Sequence, residues 1–63
     1  MVAIVTKEAV QSAHNRHLPV PLEEGERVLV METIKDHYFK VKRLKKGGRI
    51  EVYHRDRFKT IKT

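Results

Sequence analysis

Sixty-three residues make a single small domain, close to the lower size at which an apolar core holds without staples. Cysteine is absent, which excludes disulfides and thiolate metal sites, suits a reducing compartment and leads us to expect a cytoplasmic protein. The net charge of +6 is unevenly spread: residues 1–34 carry three Lys or Arg against five Glu, residues 35–63 eleven against three acidic residues. Such asymmetry favours an anionic partner, nucleic acid ahead of a membrane surface. Solubility is the plainer use of the same charge.

No apolar run approaches the roughly 18–20 residues of a membrane helix. Met1–Thr6 is too short for the apolar core of a signal peptide, so no membrane is expected. Val2–Val5, rich in β-branched residues, reads as the first strand. Residues 7–18 then form an excursion, either a long loop or a short helix over Lys7–Ala13 capped by Thr6, with Val5, Ala9, Val10 and Ala13 on one helical face. Leu18-Pro-Val-Pro-Leu22 is extended, because each proline biases its predecessor away from helix. Glu23-Glu-Gly-Glu26 is a turn with solvated carboxylates, delivering the chain into a strand over Arg27–Glu32. Thr33–His37 connects to the next strand.

Tyr38–Leu44 and Arg49–Tyr53 alternate apolar and polar residues, as antiparallel strands with one buried face do. Lys45-Lys-Gly-Gly48 supplies the positive-φ residues of a tight hairpin. A four-residue loop there sets Val41 against Val52 in the core, with Lys42 against Glu51 and Lys40 against Tyr53 outside. His54–Arg57 breaks the alternation as one turn of 3₁₀ helix, and Phe58–Lys62 closes the chain as a fifth short strand. The expected core is Val2, Ile4, Val28, Val30, Phe39, Val41, Ile50, Val52, Phe58 and Ile61. Five short strands in one domain spanning residues 1–63 suggest an all-β fold, a small closed barrel.

This order of parts resembles an SH3 domain. Val2–Val5 stands where that family carries its ALYDY strand, Gln11–Leu18 corresponds to the RT loop, and Val20–Val28 is similar to the diverging turn through Glu24-Gly25-Glu26-Arg27-Val28. Thr33–His37 matches the n-Src loop, Lys45–Gly48 the distal hairpin and His54–Arg57 the 3₁₀ turn. The resemblance implies a five-stranded SH3-like barrel over residues 1–63, with an RT-type loop at 7–18. It also implies a peptide groove, here near His17, Tyr38, His54 and Arg57. The aromatic wall that binds PxxP ligands is mostly missing, since Tyr38 replaces the groove tryptophan and His54-Arg-Asp-Arg57 replaces P-S-N-Y. The basic segment Val52–Ile61 also resembles the SH3-like C-terminal domain of retroviral integrases.

The outer face of the hairpin is the first candidate site: Tyr38, Lys40, Lys42, Arg43, Lys45, Lys46, Arg49 and Tyr53. Lys and Arg neutralise phosphates, and exposed tyrosines stack on bases or pack on sugars. We therefore expect a small non-enzymatic nucleic-acid-binding protein, for DNA or RNA. The competing expectation is a protein-interaction module that recognises an acidic segment through the groove residues just named. Among the four histidines, His14, His17, His37 and His54, the His14–His17 spacing could chelate from one turn, but no carboxylate or cysteine sits at a matching short interval, so no metal and no cofactor are expected. With one serine, no cysteine and no phosphate-binding glycine loop, no catalytic residue is assigned.

Overall fold

In a computed structural model of the chain, described over residues 1–61, five strands form one antiparallel sheet. The strands are β1 (Val2–Val5), β2 (Arg27–Ile34), β3 (Tyr38–Arg43), β4 (Arg49–His54) and β5 (Phe58–Ile61). Their order is β4-β3-β2-β1-β5, and a 3₁₀ turn at Arg55–Arg57 precedes β5. The all-β class, the strand count and the turn before the last strand agree with the sequence; the expected extension of β5 to Lys62 falls outside the described residues. Aromatic side chains gather beside the 3₁₀ turn. Phe58 of β5 lies 6.0 Å from Tyr53 of β4 and 6.1 Å from Phe39 of β3, between ring centroids.

Residues 7–18 contain two short helices, over 7–11 and 13–16, rather than a continuous loop. α1 (Lys7–Gln11) starts at Thr6, whose side chain accepts the Ala9 N–H, so the helix with its Thr6 cap is present but ends at Gln11 instead of running on to Ala13. Ser12 both stops α1 and caps α2 (Ala13–Arg16) by accepting the Asn15 N–H. Asn15 is buried and ties this excursion to the proline segment. Its Oδ1 accepts the Leu22 N–H at 2.8 Å, and its Nδ2 donates to the carbonyls of Leu22 at 3.1 Å and Val10 at 3.2 Å. Leu22 is thereby held in the core. An Asn15→Ala variant would orphan buried backbone groups at about 1–3 kcal/mol, and a lowered urea midpoint with native-like spectra is the expected result.

The β2–β3 hairpin turns through Lys35 and Asp36, both at positive φ (52° and 58°), with the His37 N–H donating to the Ile34 carbonyl. Two successive positive-φ residues match the right-handed twist of the flanking strands, as in primed hairpin turns. A bulge at Met31 separates the Val30↔Val41 pair from Glu32↔Lys40.

The β3–β4 hairpin departs from expectation. Its loop is Leu44–Gly48, five residues, because Arg43 pairs with Arg49. Gly47 and Gly48 take the positive φ the turn requires. The pairs are therefore Phe39↔Tyr53, Lys40↔Val52, Val41↔Glu51 and Lys42↔Ile50, one residue away from the expected register. Such a slip turns every side chain of one strand over. Ile50 and Val52 are exposed, at 53% and 52%, and are not core residues, whereas Tyr53 is buried. In β1 the buried pair is Ala3 and Val5, with Val2 and Ile4 only half-buried, and Ile61 is half-buried as well. Val28, Val30, Phe39, Val41 and Phe58 are in the core as expected, joined by Ala3, Val5, Ala9, Leu22 and Tyr53.

Candidate nucleic-acid interface

The register decides which basic side chains reach solvent. Alternation along β3 places Phe39, Val41 and Arg43 on the inner face, leaving Tyr38, Lys40 and Lys42 outside. Arg43 is completely buried. It is held by a fork on Glu26, with Nε donating to Oε2 at 2.7 Å and Nη2 to Oε1 at 2.8 Å. Nη2 also donates to the Pro21 carbonyl at 2.9 Å, and Nη1 to the Val20 carbonyl and to Glu51 Oε1. A buried charge is tolerable only when paired and hydrogen-bonded, and this guanidinium is satisfied on all three nitrogens. Arg43 is thus a structural residue and not a phosphate contact.

Glu26 is buried rather than solvated with its neighbours in the turn. Burial raises its pKa, but the Arg43 hydrogen bond, the Glu23 N–H and the charges of Arg43 and Lys46 outweigh this, and the carboxyl titrates below its ordinary 4.5. Its N–H donates to the Glu23 carbonyl, and Gly25, at φ 77°, donates its N–H to the Val5 carbonyl. The Glu24-Gly25-Glu26 segment therefore joins the turn to β1 and supplies the counter-ion for Arg43.

Tyr53 also leaves the proposed surface. Its ring packs edge-on against Phe58, and its hydroxyl is buried without a hydrogen-bond partner. Burial first, then the nearby Glu51 carboxylate, pushes its pKa up to about 12. It therefore stays neutral at physiological pH and has no ring face free to stack.

The other named residues divide by their partners. Lys46 lies 3.1 Å from Glu23, and Arg49 lies 3.5 Å from Glu51. Lys40, Lys42 and Lys45 have no carboxylate within ion-pair distance among the described residues; Lys40 sits opposite Glu32 in the β2–β3 ladder. Tyr38 is 42% exposed, with its ring edge-on to His54 at 5.4 Å. The free cationic face is therefore Lys40 and Lys42 on β3, with Lys45 in the adjacent turn. Leu29 and Ile50 flank Lys42 across the sheet, and Val52 flanks Lys40. Alternation misplaced Ile50 and Val52, because the hairpin loop has five residues rather than four; Leu29 lies outside the expected core, as the structure has it.

Of the alternative groove residues, Tyr38 and His54 are in contact, and His37 stacks on His54 at 6.5 Å. His54 Nδ1 lies 2.8 Å from Asp56 Oδ1. Arg57 is directed elsewhere, donating to Ser12 Oγ at 3.0 Å at the rim of a recess of about 240 Å³ between α1 and the 3₁₀ turn. His17, exposed at the end of α2, makes no ionic or aromatic contact among the described residues. Of the four, Tyr38 and His54 are the pair in direct contact among the described residues. Among the described residues no cluster of three metal-ligating side chains occurs, and no helix is long and apolar enough to cross a membrane. No protein-family model, curated protein or solved structure matches this chain.

Proposed function

We propose that this is a small non-enzymatic nucleic-acid-binding protein that engages phosphates through the outer face of β3 and the following turn. The observation that carries the reading is Lys40 and Lys42 on the outer face of β3, with exposed Lys45 in the following turn, none of them within ion-pair distance of a carboxylate among the described residues, in a chain of net charge +6. Surface lysines with nearby carboxylates have part of their charge already answered, whereas these three are available to an anion. Arg49 stands on the side of Arg43 and is paired with Glu51, and Lys46 is paired with Glu23, so these two cations are left out of the proposed phosphate contacts. The reading belongs with an SH3-like barrel, supported by the chain order of its parts: strand, excursion, diverging turn, two hairpins, a 3₁₀ turn and a last strand.

A salt titration of binding to fluorescent duplex DNA, single-stranded DNA and duplex RNA tests this proposal. Micromolar affinity is expected at low salt, falling linearly in log–log form with a slope of about −0.9 per phosphate contacted on duplex DNA. Three contacts correspond to a slope of roughly −3. Failure to bind any of the three at low salt would end the nucleic-acid reading.

A further inference from the structure

The exposed aliphatic side chains on this basic face have no role in phosphate binding. Lys42 stands between Leu29 and Ile50 in one cross-strand row, and Lys40 stands beside Val52 in the next. Ile50 and Val52 are each more than half exposed, and Leu29 is 38% exposed. β4 is an end strand of the sheet order, so no further strand flanks them. We infer that, given the nucleic-acid reading above, the ligand is duplex DNA, and that the β4 edge enters its minor groove. There Ile50 and Val52 press against base steps while Lys40 and Lys42 reach the bordering phosphates.

Three observations select this ligand. Single-stranded nucleic acid is held by aromatic platforms on which bases stack, and Tyr38 is the one tyrosine on this face, its ring already met edge-on by His54. Major-groove reading needs bidentate donors such as Arg, Asn or Gln aimed at base edges. The outward positions of β3 and β4 are Tyr38, Lys40, Lys42, Ile50, Val52 and His54, with none of these donors. Duplex RNA is recognised through 2′-hydroxyl and phosphate contacts across a wide, shallow groove, where aliphatic tips gain little.

Aliphatic wedges on a cationic surface suit the minor groove of DNA, where partial unstacking kinks the duplex toward the major groove. The spacing agrees. Ile50 and Val52 are two residues apart on one strand, about 6.8 Å, which matches two base-pair rises of about 3.4 Å. Binding is expected to depend on duplex deformability more than on base identity, with flexible pyrimidine–purine steps preferred.

The test is energy transfer between dyes at the two ends of a short DNA duplex, read with affinity for the same duplex, its single strand and an RNA duplex. The wild-type chain is expected to bind the DNA duplex most tightly and to shorten the dye separation. An Ile50→Thr/Val52→Thr variant, which keeps β-branched residues at two exposed positions, should retain its thermal unfolding curve and most of its duplex affinity while losing the bend. A straight duplex with bound wild-type protein, a bend that survives in the variant, or preference for the single strand or RNA would overturn this inference and leave phosphate binding standing. Absence of binding to every ligand would overturn the underlying reading and this inference with it.

Discussion

An Arg43→Met substitution is expected to remove most of the stability of this domain. Taking away one partner of a buried ion pair costs about 3–5 kcal/mol, because the other charge remains without compensation. A domain of this size has roughly 3–9 kcal/mol in total, at about 0.05–0.15 kcal/mol per residue. The thioether side chain would leave the Glu26 carboxylate buried and the Val20 and Pro21 carbonyls without their donor. Replacing Glu26 by Leu in the same chain should restore part of the loss, since an apolar pair has no stranded charge. Urea unfolding of the single and double variants measures both effects. An Arg43→Met midpoint equal to wild type would show that the buried network contributes nothing.

The same network sets an acid limit. The folded-state pKa of Glu26 lies below its ordinary 4.5, so its contribution is fully present above that value and is lost as pH falls through the folded pKa. A Glu26→Gln variant lacks this ionisation and strands the Arg43 charge. Its deficit relative to wild type should be largest near neutral pH and should narrow in acid, as seen in urea midpoints measured from about pH 7 to pH 3.

Lys40→Gln combined with Lys42→Glu is expected to abolish measurable nucleic-acid binding at moderate salt while leaving the unfolding curve unchanged. Loss of two phosphate contacts lowers the magnitude of the salt slope by about two, and the new carboxylate at position 42 adds repulsion. Glutamine is the better choice at position 40, since Glu32 stands directly opposite, and like charges across a ladder destabilise a sheet by roughly 0.2–1 kcal/mol. Competition titrations at two salt concentrations provide the measurement. An unchanged slope would move the binding face elsewhere on the molecule. Arg43 variants are unsuitable for this purpose, because any loss of binding would follow from loss of fold.

Local pattern carried the strand inventory well. Alternation in 38–43, the Gly-Gly hairpin and the polar His54–Arg57 segment determine three strands and a 3₁₀ turn, because each is a property of neighbouring residues. Thr6 as a cap is legible for the same reason, since the cap and the N–H it accepts are three residues apart. In β1 an all-apolar run without alternation gave no means of choosing Ala3 and Val5 over Val2 and Ile4.

The face of β4 was beyond local reading. Ile-Glu-Val-Tyr has an apolar residue on each face, and the charges of Arg49 and Glu51 favour Ile50 and Val52 as the buried pair. The structure resolves it the other way, since Glu51 and Arg49 lie on the side of Arg43, which is neutralised by Glu26 seventeen positions earlier. That pairing brings together a turn and a strand with no sequence pattern in common, and Asn15 joins α2 to Leu22 in the same way. Composition and periodicity therefore determined an all-β, basic, cysteine-free domain with five strands. The tertiary structure alone decided which cations stay free, because whether a charge is buried depends on a partner that chain proximity does not supply.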